Sequence, residues 1–129
     1  MSEKQQVAYG FWPSSISAET MGAQTPLLDV QWNKTGDSLI WLERRSDRGV
    51  VVGRRGDEAP YDLTDGYMVR GTVGYGGGDY TVSKDGVVFA EKDGRLYHQS
   101  LTSGSARPIT PAFGAAASPV VSPDGRWVL

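Results

Sequence analysis

Two similar halves of the chain meet at the stretch Tyr75-Gly76-Gly77-Gly78-Asp79-Tyr80-Thr81-Val82. Its three consecutive glycines allow the backbone to bend, or allow another segment to approach closely, because glycine has no side chain. The residues after the glycines alternate as a strand would, with Tyr80 and Val82 on one face. The stretch therefore predicts a bend that leads into a β-strand. Contact of the glycines with a substrate or a capping partner is the alternative interpretation.

An internal repeat extends to both sides of this stretch. Three turns have similar sequences and are each followed by apolar strand residues: Trp32–Gly36, Val82–Gly86 and Val121–Gly125. Short strands at 61–64 and 107–110 also align with each other. The repeat length is roughly 40–50 residues, which is typical of four-stranded propeller blades. The sequence therefore predicts an all-β partial β-propeller, with two four-stranded antiparallel blades plus the start of a third.

The repeat divides the chain into four parts. Residues 1–24 are predicted to form an irregular N-terminal segment, residues 25–66 the first blade, residues 67–111 the second blade and residues 112–129 the truncated start of a third. Closed propellers typically have about 4–8 blades, each covered by its neighbours. We therefore expect this chain to be a fragment of a longer propeller. In isolation it should self-associate through its uncovered apolar faces.

Composition limits the possible functions. The chain has 129 residues, a net charge of −2 and no cysteine. This charge gives no electrostatic reason to expect a nucleic acid or a membrane as partner. The lack of cysteine excludes disulfides, thiolate metal sites and a cysteine nucleophile. The polar start and the absence of a long apolar run favour a cytoplasmic protein.

Few residues are candidates for catalysis or metal binding. The single histidine, His98, is predicted to be structural, because no G-x-S-x-G elbow supplies a serine nucleophile. Four acidic residues could offer oxygen ligands to calcium, but their spacing fits no loop motif and favours turns instead. These are Asp57, Glu58, Asp62 and Asp65. We therefore predict no catalytic, cofactor-binding or metal-binding residues in this chain, and no cofactor.

The arginines and the aromatic residues also have predicted environments. Arginines at 44–48 and 54–55 have acidic neighbours and should lie at solvated turns. Phe11 and Trp12 should hold the irregular segment at 9–18 to the body of the protein. Leu28, Val30 and Trp32 alternate with polar residues and should share a buried strand face. All four tryptophans favour burial over stacking on a ligand. These are Trp12, Trp32, Trp41 and Trp127.

Three stretches together resemble the N-terminal propeller of the prolyl oligopeptidase family of serine peptidases, in its acylaminoacyl-peptidase and dipeptidyl-aminopeptidase group. Residues 9–18, Tyr-Gly-Phe-Trp-Pro-Ser-Ser-Ile-Ser-Ala, are similar to that family's Y-G-x-W-x-S-P-I-T/S opening. Residues 75–80 are similar to its E-Y-G-G-G-x-Y/F motif, and 62–64 to its R-x-L-T strand. Two positions depart from the pattern. Ser15 replaces a proline, and Val73-Gly74 replaces His-Glu, so no role of that acidic residue is carried over.

This resemblance implies a non-catalytic part of a serine exopeptidase. Its partners would be the remainder of the propeller, a downstream α/β-hydrolase domain that holds the catalytic triad, and the peptide substrate whose access the propeller limits. The alternative is a propeller-type binding or scaffolding module without a hydrolase domain, since a fold does not fix a function. A self-contained β-protein is the third possibility.

Overall fold

The computed structural model describes residues 6–11, 16–22, 24–70, 78–112 and 114–129. It is all-β, as predicted, with two four-stranded antiparallel sheets and one short helix. The helix α1, Ala18–Gly22, begins after Ser17, whose hydroxyl accepts a hydrogen bond from the amide of Thr20 at 3.1 Å. Such a side-chain cap satisfies an amide that the first helical turn leaves unpaired. The described residues contain no helix that is long and apolar enough to cross a membrane.

The first sheet has its strands in chain order. They are β1 (Leu27–Trp32), β2 (Ser38–Arg44), β3 (Gly49–Arg55) and β4 (Tyr61–Asp62). In β2 the residues alternate between buried and half-buried, whereas the first five residues of β3 are all buried. The run Val50–Val52 suits this central position, because β-branched side chains pack well on a pleated surface.

The second sheet repeats the same order. Its strands are β5 (Tyr80–Val82), β6 (Gly86–Ala90), β7 (Leu96–Ser100) and β8 (Arg107–Pro108). Pro108 lies on the two-residue edge strand, a position that suits proline because it has no amide to donate to a neighbour. Both sheets lie within the units predicted at 25–66 and 67–111, whose boundaries themselves stay predictions.

The main core lies between the two sheets. Ile40, Leu42 and Val51 of the first sheet pack in one cluster with Val87 and Phe89 of the second, and all are at most 2% exposed. Burying each such side chain contributes about 1.5–3 kcal/mol to folding. The two blades therefore stabilise each other through their facing surfaces.

A smaller core covers the other face of the second sheet. Val88, Ala90 and Leu96 are buried there, with Ala116 and Val121 packed against them. Val121 belongs to the start of the third unit, a hairpin in which it pairs with Val128. The described residues thus form a partial propeller of two blades and the beginning of a third.

The first strand departs from the predicted alternation. Its pairing with β2 shifts between Leu28 and Gln31, and Asp29 has a φ of 49°. An extra residue of this kind, a β-bulge, reverses the direction of the side chains that follow it. Leu28 packs against the main core as expected, but Val30 and Trp32 are 58% and 63% exposed.

The N-terminal segment also differs from the prediction. Phe11 is 78% exposed and Tyr9 is 99% exposed, so neither holds this segment to the body of the protein. Trp12 lies outside the described residues, as do residues 75–77 of the predicted bend.

Candidate functional site

One face of the first sheet is turned away from the main core. Residues paired across an antiparallel sheet share a face, so Trp32, Leu39 and Arg54 form one row. The next row contains Trp41 and Val52, with Asp62 of β4 beside them. We call these two rows, together with the pair Glu43 and Val50, the open face. None of the described sheets covers it, and the indole of Trp32 is largely exposed there.

An ion-pair network lies on part of the open face. The guanidinium of Arg45 lies 2.9 Å from Glu43 and 2.7 Å from Asp62, and it contacts both carboxylate oxygens of Asp62. The indole nitrogen of Trp41 donates to Glu43 at 3.0 Å. Hydrogen bonds from Arg45 hold the pKa of the Asp62 carboxyl below its usual range. The expectation that the arginines at 44–48 are solvated is wrong for Arg45 and Arg48, whose side chains are half-buried.

The first strands of the two sheets are joined by a tyrosine hydroxyl. Tyr80 is 1% exposed, and its hydroxyl reaches the main-chain carbonyls of Asp29 and Ile40. Gly78 lies beside this contact, and a Cβ there would be 3.2 Å from the Asp29 carboxylate. The last glycine of the predicted bend thus leaves room for the bulge of β1.

His98 contacts a serine and an aspartate, but not in the geometry of a catalytic triad. The Ser83 hydroxyl and the Asp85 carboxylate each lie 3.4 Å from the same ring nitrogen, Nε2. A triad histidine takes the nucleophile's proton on one nitrogen and is oriented by the acid through the other. His98 instead connects the β5–β6 turn to β7.

The acidic residues considered for calcium are dispersed among arginines. Asp57 lies 3.6 Å from Arg54, and Asp65 lies 3.7 Å from Arg48. Asp62 is held in the network with Arg45. Across the described residues, no group of three or more histidine, cysteine or acidic side chains could hold a metal ion. Asp57, Glu58 and Asp65 lie in turns or bends, as interpreted, whereas Asp62 lies in β4.

The exposure of two tryptophans contradicts the prediction that all of them are buried. Trp41 is half-buried, but Trp32 and Trp127 are 63% and 65% exposed, and Trp12 lies outside the described residues. Trp32 is exposed because the bulge at Asp29 and the open face leave it without a covering sheet. A single sequence indicates which residues share a strand face, but not which face another blade covers.

The fold therefore defines an all-β protein built from propeller-type sheets. It is similar to a solved structure of a puromycin-hydrolyzing peptidase from Mycobacterium tuberculosis, with 30% sequence identity and a TM-score of 0.69. The similarity covers 97% of this chain and 21% of that chain, so this chain spans about a fifth of the length of that peptidase. No protein-family model matches the sequence. No curated protein matches it either. The chain thus has a peptidase-related fold.

Proposed function

We propose that this chain is the N-terminal propeller part of a serine exopeptidase of the prolyl oligopeptidase family. In this role it has no catalytic residues of its own. It covers a downstream α/β-hydrolase domain in the cytoplasm and limits which peptides reach the triad there.

The observation that carries the proposal is the extent of the structural similarity. Nearly the whole chain, 97% of it, aligns with only 21% of a peptidase at 30% identity. The remaining length of that peptidase leaves room for further blades and for a catalytic domain. This agrees with a sequence that lacks a G-x-S-x-G elbow.

The open face supports the same proposal. The second sheet packs against a hydrophobic cluster on each of its faces, whereas the first sheet does so on one face only, although Val50 and Val52 of its open face are themselves buried. In a closed propeller every blade is packed between two others. A further blade of the longer protein would pack against the open face and would contact Trp32 and Leu39 there.

The catalytic part of the proposal is tested by labelling the complete gene product with a fluorophosphonate, which modifies activated serines. We expect one modified serine, located by mass spectrometry outside residues 1–129. If no serine is labelled, the peptidase assignment fails. The alternative, a propeller-type binding module without a hydrolase domain, would then be the better explanation.

The gating part is tested separately, with substrates of different length. Hydrolysis of a decapeptide and of an aminoacyl anilide is to be compared between the wild type and Tyr80→Phe. This substitution removes the hydroxyl that joins the first strands of the two blades. We expect this variant to raise kcat/KM for the decapeptide relative to the anilide, because the blades separate more easily. Tyr97→Phe is the matched control. An unchanged ratio in Tyr80→Phe would disprove gating and leave the peptidase assignment intact.

A further inference from the structure

A cleft lined by basic side chains lies between the two sheets, at the end where β2 turns into β3. Ten residues line it, and five of them are basic: Arg44, Arg45, Arg48, Arg70 and Lys92. We call it the basic cleft. Asp47 is its one acidic lining residue, and its volume is about 350 Å³. In a chain of net charge −2 this is a local concentration of positive charge.

The backbone beneath the basic cleft is held firmly in place. Val69, which is 1% exposed, pairs with Gly49 of the first sheet and with Glu91 next to the second. The amide of Arg70 donates to the carbonyl of Ala90, and the amide of Lys92 to that of Met68, both at 3.1 Å. These backbone contacts therefore hold together three segments that are distant in sequence and that carry the cations of the cleft.

Two of the five cations supply an excess of positive charge. Arg45 is neutralised by the two carboxylates described above. Arg48 approaches Asp65 at 3.7 Å, and the Asp65 side chain is 80% exposed, so this pair is weak. Within the described part of the chain, Arg70 and Lys92 form no ion pair with a carboxylate.

We propose that the basic cleft binds an oxyanion, the carboxylate or phosphate group of a small ligand. The planar guanidinium of arginine matches the geometry of such groups, and lysine adds a compact positive charge. A concave surface with an excess of one sign of charge strengthens the local field, and the volume lies in the usual range of ligand sites, about 300–1,000 Å³. An adjoining hollow of about 560 Å³ shares Arg44 and Arg45 and continues to Pro26, which gives space for the rest of a ligand. This inference is independent of the peptidase proposal.

The test measures binding to the complete gene product by isothermal titration calorimetry at low ionic strength. Three probes are compared: inorganic pyrophosphate, N-acetyl-trialanine with a free carboxylate, and the C-terminal amide of the same tripeptide. We expect binding of pyrophosphate, of the free carboxylate or of both, and none of the amide. The first two probes distinguish phosphate from carboxylate as the source of the anion. Affinity should fall as salt is raised, because salt screens such contacts.

Variants locate the binding within the cleft. The double variant R70Q/K92Q should bind at least about tenfold more weakly, since charged hydrogen bonds are the strong ones. The control K84Q/R107Q removes the same two residue types from exposed positions outside the cleft and should bind as the wild type does. Because Arg70 is half-buried, K92Q alone is measured too and should also weaken binding. The proposal is overturned if neither oxyanion binds, or if the control weakens binding as much as R70Q/K92Q does.

Discussion

The hydroxyl of Tyr80 in the second sheet lies 3.1 Å from the main-chain carbonyl of Ile40 in the first sheet. The carbonyl of Asp29, at the bulge of β1, is also within reach of this hydroxyl. Burial, with a smaller contribution from the Asp29 charge, raises the pKa of Tyr80, so the hydroxyl keeps its proton and remains a donor. A single buried side chain therefore ties the innermost strands of the two blades together.

Removing this hydroxyl should destabilise the protein. Tyr80→Phe removes a donor from the buried carbonyl of Ile40 and from the partly buried carbonyl of Asp29, and we expect the free energy of unfolding to fall by about 1–2 kcal/mol. The measurement is a urea unfolding curve. Tyr97→Phe is the control, because the Tyr97 hydroxyl contacts Asp93 in an exposed place, and its loss should cost less than about 0.5 kcal/mol. Equal stability of Tyr80→Phe and wild type would show that the hydrogen bonds of the Tyr80 hydroxyl do not stabilise the fold.

The carboxylate of Asp62 should stabilise the fold in a pH-dependent way. Its contact with both terminal nitrogens of Arg45, at 2.7 Å each, is partly buried. We expect Asp62→Asn to lower the free energy of unfolding by about 1 kcal/mol at pH 7. The pKa of Asp62 is lowered in the folded state, so this stabilisation is fully present above the unfolded pKa, about 4. It is lost as the pH falls through the lower folded value.

The corresponding control is Asp57→Asn. The Asp57 side chain is fully exposed and lies 3.6 Å from Arg54, a contact that should contribute little. Thermal unfolding of both variants and the wild type from pH 7 to pH 3 checks the prediction. The difference between Asp62→Asn and wild type should shrink toward low pH, and a difference that stays constant would show that the ion pair is not its cause.

The repeat made much of the fold predictable. The turns aligned from sequence share a contact in the structure: Ser83 and Ser122 donate to the aspartate two residues further on, at 3.2 Å and 2.5 Å. Asn33 occupies the same place in the first unit, and its side-chain amide donates to the hydroxyl of Thr35, also two residues further on, at 2.8 Å. Such local side-chain contacts depend on nearby residues only, so a single sequence is enough to recognise them.

The contacts between residues distant in sequence were not predictable in the same way. Arg45 and Asp62 are 17 residues apart, and no local pattern indicates that one arginine contacts that carboxylate. The bulge at Asp29 shifts the register of β1, which changes the environment of Trp32 without any change in the apolar alternation. The basic cleft likewise combines residues from 44–48 with Arg70 and Lys92, whose proximity depends on how two sheets meet.

Gly86 in the second sheet should not tolerate replacement by a residue with a side chain. A Cβ on Gly86 would lie 2.8 Å from Nε2 of His98 and would overlap the main-chain carbonyl oxygen of Gln99. Since that carbonyl belongs to the neighbouring strand, it cannot move aside easily. Gly86→Ala should lower the free energy of unfolding by about 2–3 kcal/mol, measured by urea unfolding. Gly22→Ala is the control, since nothing lies within 4 Å of its added methyl group, and a similar loss in both variants would contradict this explanation.

We propose, finally, that the isolated 129-residue chain self-associates through its open face. Trp32 is 63% exposed there beside Leu39, and burial of such a surface against a second copy is favourable. Light scattering should give a mass above the 13.9 kDa of one chain. Trp32→Lys should shift the mass toward the monomer, whereas Tyr9→Lys, at a 99% exposed position outside the open face, should not. A monomeric wild-type chain that unfolds cooperatively would show that the open face needs no partner, and would favour a self-contained β-protein over part of a larger propeller.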